Sequence, residues 1–376
     1  MKNLALCALV ALCTCCPGPL QSPARADEAG KIALSGLVDT YYQYSFNHPP
    51  VGATIAGRSF DVKNDAFSLS LLEVNVKRDA THSLPLGFTA TLTLGKTADL
   101  VHATEPGGAN TYKYLQQLYA TWTSGGKRPL TVDVGKFVTY MGYEVIESTS
   151  NDNYSRSLLF TYAIPFYHMG VRITYPLSGQ LTGQLHFVNG WNDVEDDNGG
   201  KSVGAALLWN PASNLNWVLN YMGGDEGSNT ANGAGSFGGI GFPAAGILNV
   251  QMLDLCGTWY PTPRLKLGIN VDYASAAKTG VPGGTWSGQA LYARYQMSPA
   301  ASIALRGEHF EDSAGLRTGT AQNLNEVTAT LEYVVKGVWV HRLEYRHDHA
   351  GSAFFAGGEG PSHAQDTITL AQVLKF

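Results

Sequence analysis

The chain has 376 residues, 15% of them charged and 44% hydrophobic, with a net charge of −5 and a mean hydropathy of −0.08. That charge content lies below the ~25% of soluble domains. No stretch after the N-terminus approaches the ~18 apolar residues of a spanning helix, which excludes a helical membrane protein. The acidic balance argues against a nucleic-acid partner, while 43 glycines and 19 tyrosines suit a transmembrane β-barrel, whose strands are only half apolar.

In chain order, residues 1–26 read as a secretory signal. Lys2 supplies the positive start, Leu4 to Leu12 the apolar core, and Ala24-Arg25-Ala26 a cleavage site. The mature chain is expected at 27–376, and losing Lys2 and Arg25 takes its net charge to −7. Cys7, Cys13, Cys15 and Cys16 fall in the removed segment, so Cys256 is left without an internal disulfide partner. A lipoprotein reading of Cys15 or Cys16 is weaker, because Thr14 and Cys15 precede them where that chemistry prefers a small residue.

Sixteen predicted strands follow, at 31–46, 67–80, 86–98, 112–124, 130–140, 163–177, 180–192, 201–210, 215–224, 247–260, 264–275, 286–297, 301–311, 323–335, 338–349 and 365–376. Their signal is period-two alternation. In 264–275, Leu265, Leu267, Ile269, Val271 and Tyr273 alternate with Lys266, Gly268, Asn270 and Asp272. In 163–177, Tyr167, Met169, Val171, Ile173 and Tyr175 alternate with His168, Gly170, Arg172 and Thr174. Polar faces that carry small and charged residues favour a water-filled lumen over a sandwich interior.

The links alternate as well. Even-numbered strands lead into short turns, such as Ser178–Gly179, Pro261–Pro263 and Lys336–Gly337. Odd-numbered strands lead into longer segments at 47–66, 99–111, 141–162, 193–200, 225–246, 276–285, 312–322 and 350–364. The predicted fold is therefore all-β: a transmembrane antiparallel up-and-down β-barrel of about 16 strands, with short periplasmic turns and long extracellular loops. Aromatics form two predicted girdles. Trp209, Trp217, Trp259, Tyr260 and Tyr175 lie by the short turns; Tyr41, Tyr42, Tyr140, Trp191, Tyr221 and Tyr273 lie nearer the loops.

The final predicted strand points Ile368, Leu370, Leu374 and Phe376 to lipid and Thr369 and Lys375 to the lumen. It is expected to pair with 31–46, because lipid offers an open edge no hydrogen bonds. Its aromatic end, Phe376, resembles the C-terminal insertion signal of bacterial outer-membrane barrels, which assembly machinery reads.

A family resemblance lies in the 134–172 block. Val134-Gly135-Lys136-Phe137, Tyr140-Met141-Gly142-Tyr143-Glu144, Asn153-Tyr154-Ser155-Arg156-Ser157 and Ala163-Ile164-Pro165-Phe166-Tyr167-His168-Met169-Gly170-Val171-Arg172 resemble the β-barrel porin-2, OmpL-like family. Leu34–Tyr42 and Phe187–Asn192 are similar too. The resemblance spans the mature chain and implies an outer-membrane channel for small solutes, with no catalytic residues to carry over.

Inward charges would set selectivity in such a lumen. The pore-lining candidates are Glu73, Lys77, Arg172, Arg294, Arg306, Arg342, Glu344 and Arg346, with Asp348 on the face of the last three. Arg306 is read as inward and Glu308 as facing the other way. Opposed acid and base would set a transverse field across an eyelet; the plainer reading is that they pair and brace the wall. Loop 141–162, the third long loop, is expected to fold into the pore and carries the constriction candidates Glu144, Glu147, Asp152 and Arg156.

Sharper chemistry finds less support. His341 and His347 share an outward parity and His349 ends its strand, which favours girdle or loop histidines over a metal site. The glycines of 233–239 lack the strand–helix unit of a dinucleotide site. Asp193, Glu195, Asp196 and Asp197 do not match a calcium-binding loop and read as a solvated acidic loop. No Gly-x-Ser-x-Gly elbow is present.

The expected function is a porin for passive diffusion of small hydrophilic solutes or ions, with no cofactor, metal or catalysis. The alternatives are a plugged structural or adhesin-type barrel and an enzymatic outer-membrane barrel. Expected partners are the solutes, outer-membrane lipids, the barrel-assembly machinery and, by analogy with sixteen-stranded porins, a homotrimer.

Overall fold

A computed structural model describes residues 30–226, 248–278 and 281–376. The predicted signal at 1–26 and the glycine-rich stretch at 233–239 lie outside the described residues. The sixteen strands described are β1 Ala33–Ser45, β2 Ala66–Arg78, β3 Leu86–Leu94, β4 Leu115–Thr123, β5 Thr131–Val138, β6 Tyr167–Pro176, β7 Leu181–Val188, β8 Ser202–Ala212, β9 Leu215–Glu226, β10 Leu248–Thr262, β11 Leu265–Lys278, β12 Val281–Gln296, β13 Ala301–Asp312, β14 Gln322–Val335, β15 Trp339–Ala350 and β16 Ala364–Lys375. Each pairs antiparallel with its neighbours, and β16 pairs with β1 from Leu37↔Lys375 to Ser45↔Thr367, closing the barrel. Closure leaves no unpaired edge to face lipid.

Alternation in the sequence becomes alternation in burial. Along β16, Ile368, Leu370 and Leu374 are exposed on the outside while Thr367, Thr369, Ala371 and Val373 are buried inside. The outer rows of the other strands are likewise exposed leucines, valines and aromatics. Lipid must cover such a surface, because water would not stabilise it.

Three local readings change, and β2 carries an irregularity. Strand 86–98 stops at Leu94, where Gly95 (φ +110°) turns the chain into helix α1, Lys96–Val101. A Cβ at Gly95 would lie 2.6 Å from the Ser70 carbonyl oxygen, so the turn needs glycine. The predicted long loop 276–285 is mostly ladder, since Ser275↔Thr285, Ala276↔Gly284 and Lys278↔Val281 continue β11 into β12. In β2, a register shift opposite Asp39/Thr40 puts Leu69 and Phe67 outside and Ser70 inside, while Leu71, in step with Glu73, packs inward with Leu37, Val340 and Val373. Finally, Glu308 shares the inward face with Arg306; two residues apart in an unbroken ladder, they point the same way.

The girdles are also redrawn. Trp209, Trp259, Tyr260 and Tyr175 are exposed at the short-turn end, and Tyr221 and Tyr273 at the loop end. Tyr41, Tyr140 and Trp191 are instead buried. Tyr41 has inward parity, and the other two are held among infolded loops.

Candidate pore constriction

The sequence leaves β5 at Val138 and does not begin β6 until Tyr167. Between them the chain turns into the barrel, and residues 151–166 are buried throughout. Gly142 (φ +87°) makes the turn. The following residues cross toward the wall built by β13, β14 and β15.

Three inward arginines hold the crossing segment by its backbone. Arg342 donates to the carbonyl oxygens of Ser148 (2.7 Å), Asn151 (2.8 Å) and Asn153 (2.9 Å), and pairs with Glu332 at 2.6 Å. Arg306 reaches the Ser155 carbonyl (2.7 Å) and pairs with Glu144 (2.8 Å) and Glu326 (2.7 Å). Arg346 donates to the Arg156 carbonyl (2.6 Å) and pairs with Asp348 (2.8 Å). Carboxylates of the same wall take the segment's amides: Glu344 accepts from Tyr154 and Ser155, and Glu308 from Leu158 and Leu159. A planar guanidinium with five donors suits several fixed carbonyls at once.

Other strands grip the rest of the segment. Asp39 of β1 accepts from the Ser148 (2.6 Å) and Tyr154 (2.9 Å) hydroxyls. Asp254 of β10 accepts from the Gly142 amide, and Asn270 of β11 from the Tyr143 amide. Trp286 of β12 donates to the Ala163 carbonyl. Arg156 curls back onto the carbonyls of Val145, Tyr154 and Ile146 and lies over the Phe60 ring. Burial, together with the nearby Asp39 carboxylate, raises the Tyr154 phenol well above its ordinary range.

Sequence reasoning missed a second infolding, in the first long loop. Ile55 and Arg58–Val62 are buried there. Arg58 pairs with Asp348 (2.7 Å) and Asp61 (3.1 Å), and Phe60 packs against Phe160 and Phe166. Arg317 of the loop after β13 lies over the Trp191 and Trp286 rings and donates to the Tyr162 carbonyl. The one sequence hint was an apolar trio, Ile55, Phe60 and Val62, in a loop expected to be wet.

The candidate charges therefore separate into two groups. Arg306, Arg342, Glu344 and Arg346 face inward but are covered by the loop, so they brace it and do not border open water. Arg156 is buried within the loop's own contacts, and Glu144 is buried between Arg306 of the wall and the Ser157 amide. Arg172, Lys266 and Arg294 lie toward the short turns with 19%, 22% and 25% of their side chains exposed. Their carboxylate partners Asp133, Asp152 and Glu332 keep only 8%, 5% and 8%. Lys77 is exposed and paired with Asp79 at 2.8 Å. Glu73 is buried at β2, and across from it Glu147 accepts from Gln116 at 2.8 Å. Glu147, Thr149 and Ser150 form the partly exposed rim of the crossing segment, with Glu147 toward β2 and β4.

The acidic outer loop is not uniformly solvated. Asp193 is buried, and its carboxyl is raised to about 7 by burial and then by Glu105 and Asp197. Glu105 accepts from the Tyr167 hydroxyl and the amides of Val194 and Glu195. On the barrel's outer face, His347 pairs with Asp366 at 2.9 Å and His341 lies 4.8 Å from the Trp339 ring.

The family model described as "Putative beta-barrel porin-2, OmpL-like" matches residues 31–376. No curated protein matches the chain. Similar folds occur in OmpT of Vibrio cholerae in its trimer form (11% identity, 93% of this chain and 100% of that one, TM-score 0.62). They also occur in an anion-selective porin from Comamonas acidovorans (10% identity, 92% and 100%, TM-score 0.61). The outer membrane channel DcaP of Acinetobacter baumannii is a third (10% identity, 96% and 100%, TM-score 0.61). At these identities the likeness shows the fold.

Proposed function

We propose, from the premise that the chain belongs to the β-barrel porin-2, OmpL-like family, that it passes small hydrophilic solutes or ions down their gradients across an outer membrane. The observation that carries this reading is the crossing segment. It is fixed to β1 and β9–β15, while Glu147 reaches Gln116 of β4 beside Glu73 of β2, and Glu147, Thr149 and Ser150 stay partly exposed. A segment so placed narrows a lumen without being part of its wall. Diffusion through it needs no catalyst, cofactor or energy input. In this reading residues 1–26 are a cleaved export signal, the long loops face outward and the short turns face the periplasm. Phe376 is the element that assembly machinery reads. A homotrimer belongs to the same reading, supported by the trimer form of the Vibrio cholerae neighbour.

Reconstitution in planar bilayers tests it. Stable unitary conductance steps support a channel, and silence from correctly assembled barrel refutes it. A second reading, a barrel stoppered by its own loops, draws on the burial of Arg58–Val62, residues 151–166 and Arg317. It expects that silence, relieved when residues 146–155 are removed.

A further inference from the structure

The charges of the barrel are sorted along its axis. Within five residues of the short-turn ends of the strands, the inward cations are Lys77, Arg172, Lys266, Arg294, Arg342 and Lys375. Among the described residues, the carboxylates at that depth are Asp133, Glu332 and the loop's Asp152, all paired with these cations, while Glu73, Arg306 and Glu344 lie buried at the inner edge of the zone. The turns add Lys127, Arg128, Arg264 and Lys336, all exposed, against the exposed carboxylate of Asp79, which is paired with Lys77. The long-loop end has the opposite character. Asp65, Glu195, Asp225, Glu311 and Glu359 are exposed there together with Lys63, Lys278 ends β11 at that end, and Lys113 and Lys201 are tied to Asp99 and Asp196. The stretch between Glu226 and Leu248, outside the described residues, carries no charged residue to alter the balance.

A wall of one sign concentrates ions of the other within a screening length, about 10 Å at 0.1 M salt and 3 Å at 1 M. We infer that the loop mouth gathers cations and the turn mouth gathers anions, so that the pore rectifies. With the loop side positive, cations are driven in through the acidic mouth and anions through the basic mouth, and both accumulate in the lumen. The opposite polarity withdraws both and leaves the lumen depleted. Current is therefore larger with the loop side positive. The inference rests on the channel reading above.

The test is current–voltage recording from full-length barrel in planar bilayers. Orientation is read by labelling Ala353→Cys, in an exposed outer loop, with a membrane-impermeant thiol reagent. In roughly 0.1 M KCl the current at about +100 mV on the loop side should exceed that at about −100 mV by around two-fold, and the ratio should fall toward one near 1 M KCl. Lys77→Gln combined with Lys375→Gln should lower the ratio at low salt. The salt series on the unaltered chain decides the matter even if that variant assembles poorly. Equal currents at low salt, or rectification of the opposite sense, overturn the inference and leave the channel standing. Absence of any conductance overturns the channel reading, and the inference with it.

Discussion

Replacing Arg342 with methionine tests how the crossing segment is held. Arg342 is buried and donates to three loop carbonyls, while its carboxylate partner Glu332 also pairs with Arg294. Breaking a buried pair from one side costs about 3–5 kcal/mol, chiefly through the charge left behind. Here Glu332 keeps Arg294, so the low end applies, about 3 kcal/mol. Hydrogen bonds from a charged donor, at ~1.5–3 kcal/mol each, are consistent with that size. The barrel ladder is untouched, so the loss falls on loop docking. At ~1.4 kcal/mol per factor of ten, undocked excursions become roughly a hundredfold more frequent. Single-channel recording should show this as frequent steps to a higher conductance. Limited proteolysis should cut within 146–155 in the variant and spare the parent. Arg342→Lys should fall between the two, because an ammonium cannot serve three carbonyls and a carboxylate at once. Fully assembled Arg342→Met with parental conductance, noise and protease resistance would refute the clamp.

Phe376→Ala should lower the fraction of heat-modifiable, assembled barrel without changing the conductance of barrels that form; normal assembly yield would contradict the role given to that ring. Gly142→Ala places a Cβ at φ +87° and 2.5 Å from Ile164 Cδ1. The left-handed backbone alone costs ~1–2 kcal/mol, so conductance noise should rise by about an order of magnitude, and an unchanged trace would show that the turn is not strained. Asp193 titrates at about 7 in the folded loop, above its ordinary 3.8, because burial and its acidic neighbours favour the neutral form. The docking it supports is complete below pH 4 and is lost as pH rises through 7. Amide exchange at Val194 and Glu195 should accordingly be faster at pH 8 than at pH 5, beyond the intrinsic rate, and Asp193→Asn should abolish the difference. Persistence of the difference in that variant would assign it to another group.

The barrel was legible in the sequence because its governing signal is local. Period-two alternation needs only a strand's own residues, and the change from short to long links needs only their lengths. Closure of 365–376 on 31–46 follows once no edge can face lipid. The interior was much less legible, because its partners are far apart in the chain. Arg342 meets carbonyls near residue 150, and Arg58 meets Asp348. Nothing in a window around Arg342 tells a lumen-lining cation from one seated on a loop, which is why four candidates read as pore-lining are bracing groups. The extended β11–β12 hairpin was missed for a different reason: Gly283 and Gly284 look like a turn but lie within β12, where Gly284 pairs with Ala276.

The clamp also has a bearing on how the molecule comes into being. The segment that crosses the lumen lies between β5 and β6, yet the clamp that grips its middle is on β13, β14 and β15, some 150 to 190 residues later. An early part of the chain must therefore wait for a late part. Contacts between such distant residues are entropically slow to form. Until β15 arrives, the loop's carbonyls and amides lack the side chains that satisfy them. Once the ring is shut, a segment left outside has no route in except over the rim. Seating the loop and joining β16 to β1 are thus bound into one late event. A barrel closed with its loop outside would be a long-lived misassembled product of the same sequence.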